Sequence, residues 1–457
     1  MIALPTRSGR DVDDVAPVGW DGEVVPEDHD RWTPRLDAVT ALTVFVVLVY
    51  ALPARLVFRP IGAAGRPAAL LALGLIAWWV AARMVPGLAV RGRQPVRTAA
   101  LAYGWVVLLT YAVAISRELP GVQARAADRS LLVLAGLLGV LLVAADGIPS
   151  RDRLDTILRR VVYAATALAL LGHLQFFAGV NLAVKIRLPG LGLNRELATG
   201  IRRAAFERVS GTATHPIEFG VVLAMVLPLA IHYALYPGED RPRRWWRWLI
   251  VGILGVGSLL AVSRSAVLVL LAGMLVLGSV WSWRKRGRAL VVGAVALVAL
   301  RFVSPGLIGT LRGLFVNYDT DGSVQVRVND YETVFAFIRE RPWFGLGPGT
   351  FLPSEYLQLD NQVLKTILET GYVGFAALVV LVVVGLAMAG RTWRLSPDPA
   401  VRHLACALFA MILGAFVTCF TFDAFTYAIL TGMLFLSLGC AGALWRLEVV
   451  DRPGAGP

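Results

Sequence analysis

An all-α, polytopic integral membrane protein is the fold class this sequence predicts, and three observations predict it. Of its 457 residues, 57% are hydrophobic and only 16% are charged, against about 25% charged in soluble domains. The apolar residues gather in runs near the length, about 20 residues, that crosses roughly 30 Å of hydrocarbon. Arginine-rich links alternate with the other links along the chain, as the positive-inside rule requires. A water-soluble enzyme and a disordered chain are both excluded, because so few charges cannot cover a soluble surface.

The elements follow in order. Residues 1–35 carry Asp11, Asp13, Asp14, Glu23, Glu27, Asp28 and Asp30 among several prolines. Without a sustained apolar period they read as a disordered cytoplasmic tail, and no cleavable signal peptide is visible. Twelve spans are expected at 38–57, 68–86, 98–116, 130–148, 160–180, 214–236, 246–263, 265–283, 289–305, 365–390, 401–422 and 426–445. They belong to one membrane domain, 36–447, and 448–457 is a second cytoplasmic tail. The pair around Arg264 also reads as one long broken helix.

Links holding Arg91, Arg93 and Arg97, then Arg151 to Arg160, Arg241 to Arg247, Arg284 to Arg288, and Arg391 to Arg402 mark the cytoplasmic side. Trp245, Trp246, Trp248, Trp281 and Trp283 flank them, where interfacial aromatics belong. Two links on the opposite face are long, 181–213 and 306–364, and loops of that length are functional or disordered. Within the second, Asp330 to Pro342 has apolar residues at helical spacing and a proline stop. Gly345-Leu346-Gly347-Pro348-Gly349 is a turn-rich corner, and residues 307–316 suit an interfacial helix.

The net charge of +13 does not imply a nucleic-acid partner. Much of it lies in short links, where it sets orientation and meets lipid headgroups, and no groove-reading motif is present. Cys406, Cys419 and Cys440 sit inside apolar runs, at spacings that fit neither a metal site nor a disulfide framework. No metal and no cofactor are expected.

Chemistry is sought where charge is costly, since a charge near mid-bilayer costs at least about 2.5–3.5 kcal/mol. Arg264 lies between apolar runs near the outer face. Its fork of donors suits paired phosphate oxygens, or it snorkels to headgroups. Arg208 opens Arg208-Val209-Ser210-Gly211-Thr212-Ala213-Thr214-His215-Pro216, where small and hydroxyl residues let an anion approach a helix N-terminus; the alternative is an interfacial anchor. His215 and Glu218 read as caps or interhelical hydrogen-bond partners. Asp360-Asn361 precedes a helix, so Asp360 is an N-cap or a base that takes a proton from an incoming hydroxyl. Lys365 and Glu369, four apart, read as a salt bridge. Lys185, Arg187, Arg195, Arg202, Arg203 and Arg208 load the first outer loop against the positive-inside bias, which calls for an anionic lipid or a lipid-linked diphosphate as partner; the alternative is that the loop lies on the other side.

These motifs occur in an order that resembles the O-antigen ligase and O-antigen polymerase superfamily of bacterial membrane glycosyltransferases. The residues that carry the likeness are Arg208…Gly211…His215-Pro216; Ser263-Arg264-Ser265-Ala266 with Leu268; Arg341-Pro342-Trp343-Phe344-Gly345-Leu346-Gly347-Pro348-Gly349; and Asp360-Asn361-Gln362…Glu369…Gly371. The resemblance implies transfer of a glycan from a polyprenyl diphosphate to a sugar hydroxyl, on the outer face of the bacterial cytoplasmic membrane. Nucleotide sugar and metal would not be needed. Partners would be the lipid-linked glycan donor, a glycan or glycolipid acceptor, and the bilayer. Arg208 and Arg264 take the positions of the arginines that hold the diphosphate, and Arg327 that of the arginine ahead of a late amphipathic helix. His215, Asn361, Gly347 and Gly349 complete the expected substrate-binding set. One departure is informative: ligases carry a histidine base where this chain has Asp360, which favours a polymerase or a ligase with another acceptor. Lysine occurs only at 185, 285 and 365, which suits a high-GC genome. A transporter would show an inverted repeat and broken mid-membrane helices; a non-catalytic scaffold would tolerate loss of Arg208, Arg264 and Asp360 together.

Overall fold

The computed structural model describes residues 37–85, 92–193, 202–203, 206–238, 243–303, 306, 309, 312 and 322–450. The expected 1–35 tail, most of the 307–316 helix and the residues after 450 lie outside the described residues. Thirteen α-helices run through the described residues: α1 Ala38–Ala51, α2 Pro67–Met84, α3 Pro95–Ile115, α4 Gly121–Gly147, α5 Arg151–Ala178, α6 Pro216–Leu235, α7 Arg244–Leu260, α8 Arg264–Val280, α9 Trp283–Val303, α10 Gly322–Glu340, α11 Gln362–Leu395, α12 Pro399–Thr418 and α13 Ala428–Trp445.

Each apolar run of the sequence coincides with a helix. Eight of them, α2 to α6 and α11 to α13, are long and apolar enough to cross a membrane. Eight spans, rather than the twelve expected, therefore meet the requirement. The reason is local. α1 has 14 residues, and α7 and α8 have 17 each. Four basic residues, Arg284, Lys285, Arg286 and Arg288, occupy the first turns of α9.

Helix starts follow their sequence signals. Proline occupies the first turn of α2, α3, α6 and α12, where its missing N–H costs nothing. The Asp37 side chain caps α1 by accepting from Thr40 N at 2.9 Å. α6 and α13 form the buried centre of the bundle, against which α7, α8 and α12 pack on one side and α4 on the other. α9 is exposed along nearly its whole length, including its large apolar residues Leu290, Val291, Val295 and Phe302.

The basic end of the bundle is knitted by ion pairs. Arg153 pairs with Asp37 and Arg97 with Asp146, while Trp79 Nε1 also donates to Asp146 at 3.0 Å. Trp245, Trp246, Trp248 and Trp283 are exposed at this end as expected, but Trp281 is not interfacial. It is buried and donates from Nε1 to His403 Nε2 at 3.0 Å. At the opposite end the first long loop is tied down by a two-residue antiparallel pair, Leu56–Val57 with Gly192–Leu193.

Candidate active site

The N-termini of α6, α8, α11 and α13 meet at the end away from the basic links, and the sequence makes each one locally. At α6 the Nδ1 atom of His215 accepts from Ile217 N at 3.1 Å. Glu218, fully buried, accepts from Thr214 N at 2.8 Å and from Ile429 N at 2.7 Å, so one carboxylate joins the starts of α6 and α13. Ser265 Oγ donates to Thr421 Oγ1 at 3.0 Å, joining α8 to the connector before α13. At α11 the cap is Asn361, whose Oδ1 accepts from Leu364 N at 3.2 Å. Asp360 is therefore not the cap, although its position made it a candidate for one. Helix N-termini carry partial positive charge, so four of them together favour an anion.

Arg208 and Arg264 are brought to one corner. Helix α7 stops at Leu260 and α8 begins at Arg264, with Val262 between them at φ 47°. A buried β-branched residue rarely takes that left-handed conformation, and here it turns the chain within three residues. Arg208, buried in the same place, donates from Nε to Ala261 O at 3.1 Å. The arginine of the loop is thus fastened three residues ahead of the arginine that opens α8. Gly220 of α6 lets this corner close, since a Cβ there would lie 2.5 Å from Ala261 Cβ and 2.9 Å from Ala266 Cβ.

Tyr427 lies in the same neighbourhood, against His215. Burial first, then the charges of Glu218, Asp423 and Asp360, push the Tyr427 hydroxyl up from its ordinary value, while Arg208 pulls it down. The Tyr427 ring lies 6.1 Å from His215 and 5.4 Å from Phe422. Arg327 lies on α10, and its side chain lies outside the described residues.

Lys365 and Glu369 do not form the expected pair. Lys365 Nζ binds Asp423 Oδ2 at 2.7 Å, and Glu369 turns instead to the glycine corner, accepting from Gly349 N at 3.0 Å. That corner fills a break in α11. At Gly371 the backbone is at φ 67°, ψ −177°, and the groups the break frees are paired with the corner. Leu346 N and Gly347 N donate at 2.8 Å to the carbonyls of Leu368 and Glu369. Tyr372 N donates to Pro342 O at 2.8 Å. Gly347 and Gly349 meanwhile lie against α3 and α4, where added Cβ atoms would come 2.6 Å from Ala114 and 2.7 Å from Ser130. Their backbone packing accounts for both glycines.

Asp423 and Tyr427 were not singled out in the sequence. The signal available was a lone carboxylate, Asp423, in the short link between the last two apolar runs.

Residues 249–379 match the family model described as O-antigen ligase. This segment is similar to the O-antigen ligase family. The match supports membership of the O-antigen ligase and polymerase superfamily and, at that level, a multi-pass membrane glycosyltransferase. The matched segment contains Arg264, the glycine corner, Asp360 and Gly371, while Arg208 and His215 lie ahead of it in the chain. No curated protein matches the chain.

The cap at His215 has a pH dependence. Burial and the neighbouring Arg208 hold its pKa at about 4, below the ordinary 6.5, so the folded protein keeps the ring neutral and its Nδ1 able to accept. A base with a depressed folded pKa stabilises fully above the unfolded value and loses that contribution as pH falls toward the folded one. Thermal stability is expected to fall between pH 6.5 and 4. His215→Asn, which retains an acceptor for the cap, should flatten that part of the melting-temperature profile; an unchanged profile would remove His215 from the account.

Proposed function

We propose that the protein transfers a glycan from a polyprenyl diphosphate to a sugar hydroxyl on the outer face of the bacterial cytoplasmic membrane, as a polysaccharide polymerase or an O-antigen ligase-like enzyme. The observation that carries this reading is the hydrogen bond from Arg208 Nε to Ala261 O, which sets two arginines on one corner beside converging helix N-termini. Guanidinium groups there would receive the diphosphate and offset the charge that develops as it leaves. In the transfer, the bond from the sugar's anomeric carbon to the diphosphate oxygen breaks. A bond from the acceptor oxygen to that carbon forms on the opposite side, and Asp360 takes the acceptor's proton. The long loop with α10 would cover the glycan and exclude competing water.

The test separates chemistry from binding. Asp360→Asn should lower the transfer rate by about 10²–10⁴-fold, the usual contribution of a general base, and leave donor affinity within about twofold. Reconstituted protein with a lipid-linked oligosaccharide and a panel of acceptors gives both quantities. Equal loss of affinity and rate would assign Asp360 to the support of the α11 N-terminus instead.

A further inference from the structure

The glycine corner carries two arginines that the mechanism above does not use. It opens with the turn from Arg341 to Gly345, closed by Gly345 N donating to Arg341 O at 3.2 Å. Arg117, just past the end of α3, donates from Nη1 to Gly345 O at 3.0 Å. Arg341 thus begins the turn and Arg117 fastens it. Among the described residues the Arg341 side chain makes no hydrogen bond, and neither arginine forms an ion pair. The carboxylates next to them in the chain, Glu118 and Glu340, are exposed and pair with neither. Desolvation first, and the like charge of Arg341 second, lower the pKa of Arg117 from its ordinary value. Unpaired positive charge at this end of the bundle runs against the positive-inside bias.

Two aromatic side chains fix the depth of this pair. Pro342 and Trp343 run beside Tyr372 and Val373, with Tyr372 N donating to Pro342 O at 2.8 Å and Val373 N to Trp343 O at 3.4 Å. Tyr372 opens the part of α11 that follows the break at Gly371 and continues to Leu395, so it stands where that span enters the bilayer. Trp343 is 64% exposed and Tyr372 44%, and exposed Trp and Tyr belong at the level of the lipid headgroups. Guanidinium groups at that level meet phosphate, whose oxygens suit their paired donors. Below Arg117, α3 exposes Leu108, Leu109 and Ile115, a surface that suits an acyl chain and not a glycan.

We propose that Arg117 and Arg341 bind the phosphate of an anionic phospholipid, in the leaflet at the end away from the basic links, and that this lipid holds the glycine corner in the break of α11. A ligand that binds only the seated corner stabilises it by a factor of one plus the ligand concentration over its dissociation constant. This binding is separate from the glycan transfer proposed above.

Hydrogen exchange of the full chain in lipid nanodiscs tests this. The amides of Leu346, Gly347 and Gly349 report on the corner, since each is bonded to α11 and exchanges when the corner opens. Replacing phosphatidylcholine by phosphatidylglycerol should slow their exchange about tenfold, the factor expected when the lipid stands at about ten times its dissociation constant. Arg341→Gln should lose that difference. Its exchange in phosphatidylcholine should stay within about twofold of the parent's, which shows that the variant is folded. Arg244→Gln with Arg288→Gln, at the basic end, should keep the difference in full. Equal exchange of the parent in the two lipids would overturn the proposal. So would a full phosphatidylglycerol effect in Arg341→Gln, or its loss in the basic-end variant. Oligogalacturonate, a soluble acidic oligosaccharide, should leave exchange in phosphatidylcholine unchanged; protection equal to that by phosphatidylglycerol would give the two arginines to an acidic glycan and overturn the lipid assignment.

Discussion

Arg264→Ala is expected to lower glycan transfer by about 10²–10³-fold, the loss seen when one preorganised donor to a developing anion is removed. Insertion and folding should persist. Arg264 is half-buried at the first position of α8. Arg264→Lys should restore little, because an ammonium cannot reproduce two parallel contacts to a phosphate. Arg208→Ala should cost a similar factor in rate and also loosen the α7–α8 corner, since its Nε holds Ala261 O. The double variant should then lose less than the product of the two single losses, as expected of residues acting on one group. Transfer by reconstituted protein, with a melting curve for each variant, separates rate from stability. Full polymer synthesis by Arg264→Ala would end the diphosphate assignment.

The parts of this arrangement that were legible in the sequence are those that local chemistry decides. Apolar runs located the helices, and the arginine-rich links grouped at one end because charge cannot stay in hydrocarbon. Arg264 stood out for the same reason. Asp360 and Asn361 drew attention together, yet only the backbone tells which of them caps α11. The partners were not legible, because partner choice is tertiary. Lys365 has Glu369 one turn away on the same helix, but Asp423 arrives from the link before α13 and takes the ammonium at 2.7 Å. Trp281 carries the signature of an interfacial aromatic, but His403 on α12 offers its ring nitrogen a buried acceptor.

The break in α11 explains why the glycine corner exists, and it makes the largest stability prediction. The run from 365 to 390 reads as one continuous span, since a glycine in an apolar helix is ordinary. At φ 67°, ψ −177°, Gly371 occupies a region essentially closed to other residues. An added Cβ would also collide with the Trp343 carbonyl. Within a membrane such a break is tolerated only where protein satisfies the freed groups, and here residues 342–349 do so from both sides. Gly371→Ala is therefore expected to cost about 3 kcal/mol or more, by expelling the corner or by forcing the helix straight. Either outcome unpairs Leu346 and Gly347 from the carbonyls of Leu368 and Glu369. It also takes Gly349 N from Glu369 Oε2, leaving a buried carboxylate with fewer donors. Hydrogen exchange should show the amides of Leu346, Gly347, Gly349 and Tyr372 losing protection together, while those of α12 keep theirs. If those four amides stayed protected in Gly371→Ala, the corner would be held by its contacts with α3 and α4 rather than by the break it fills.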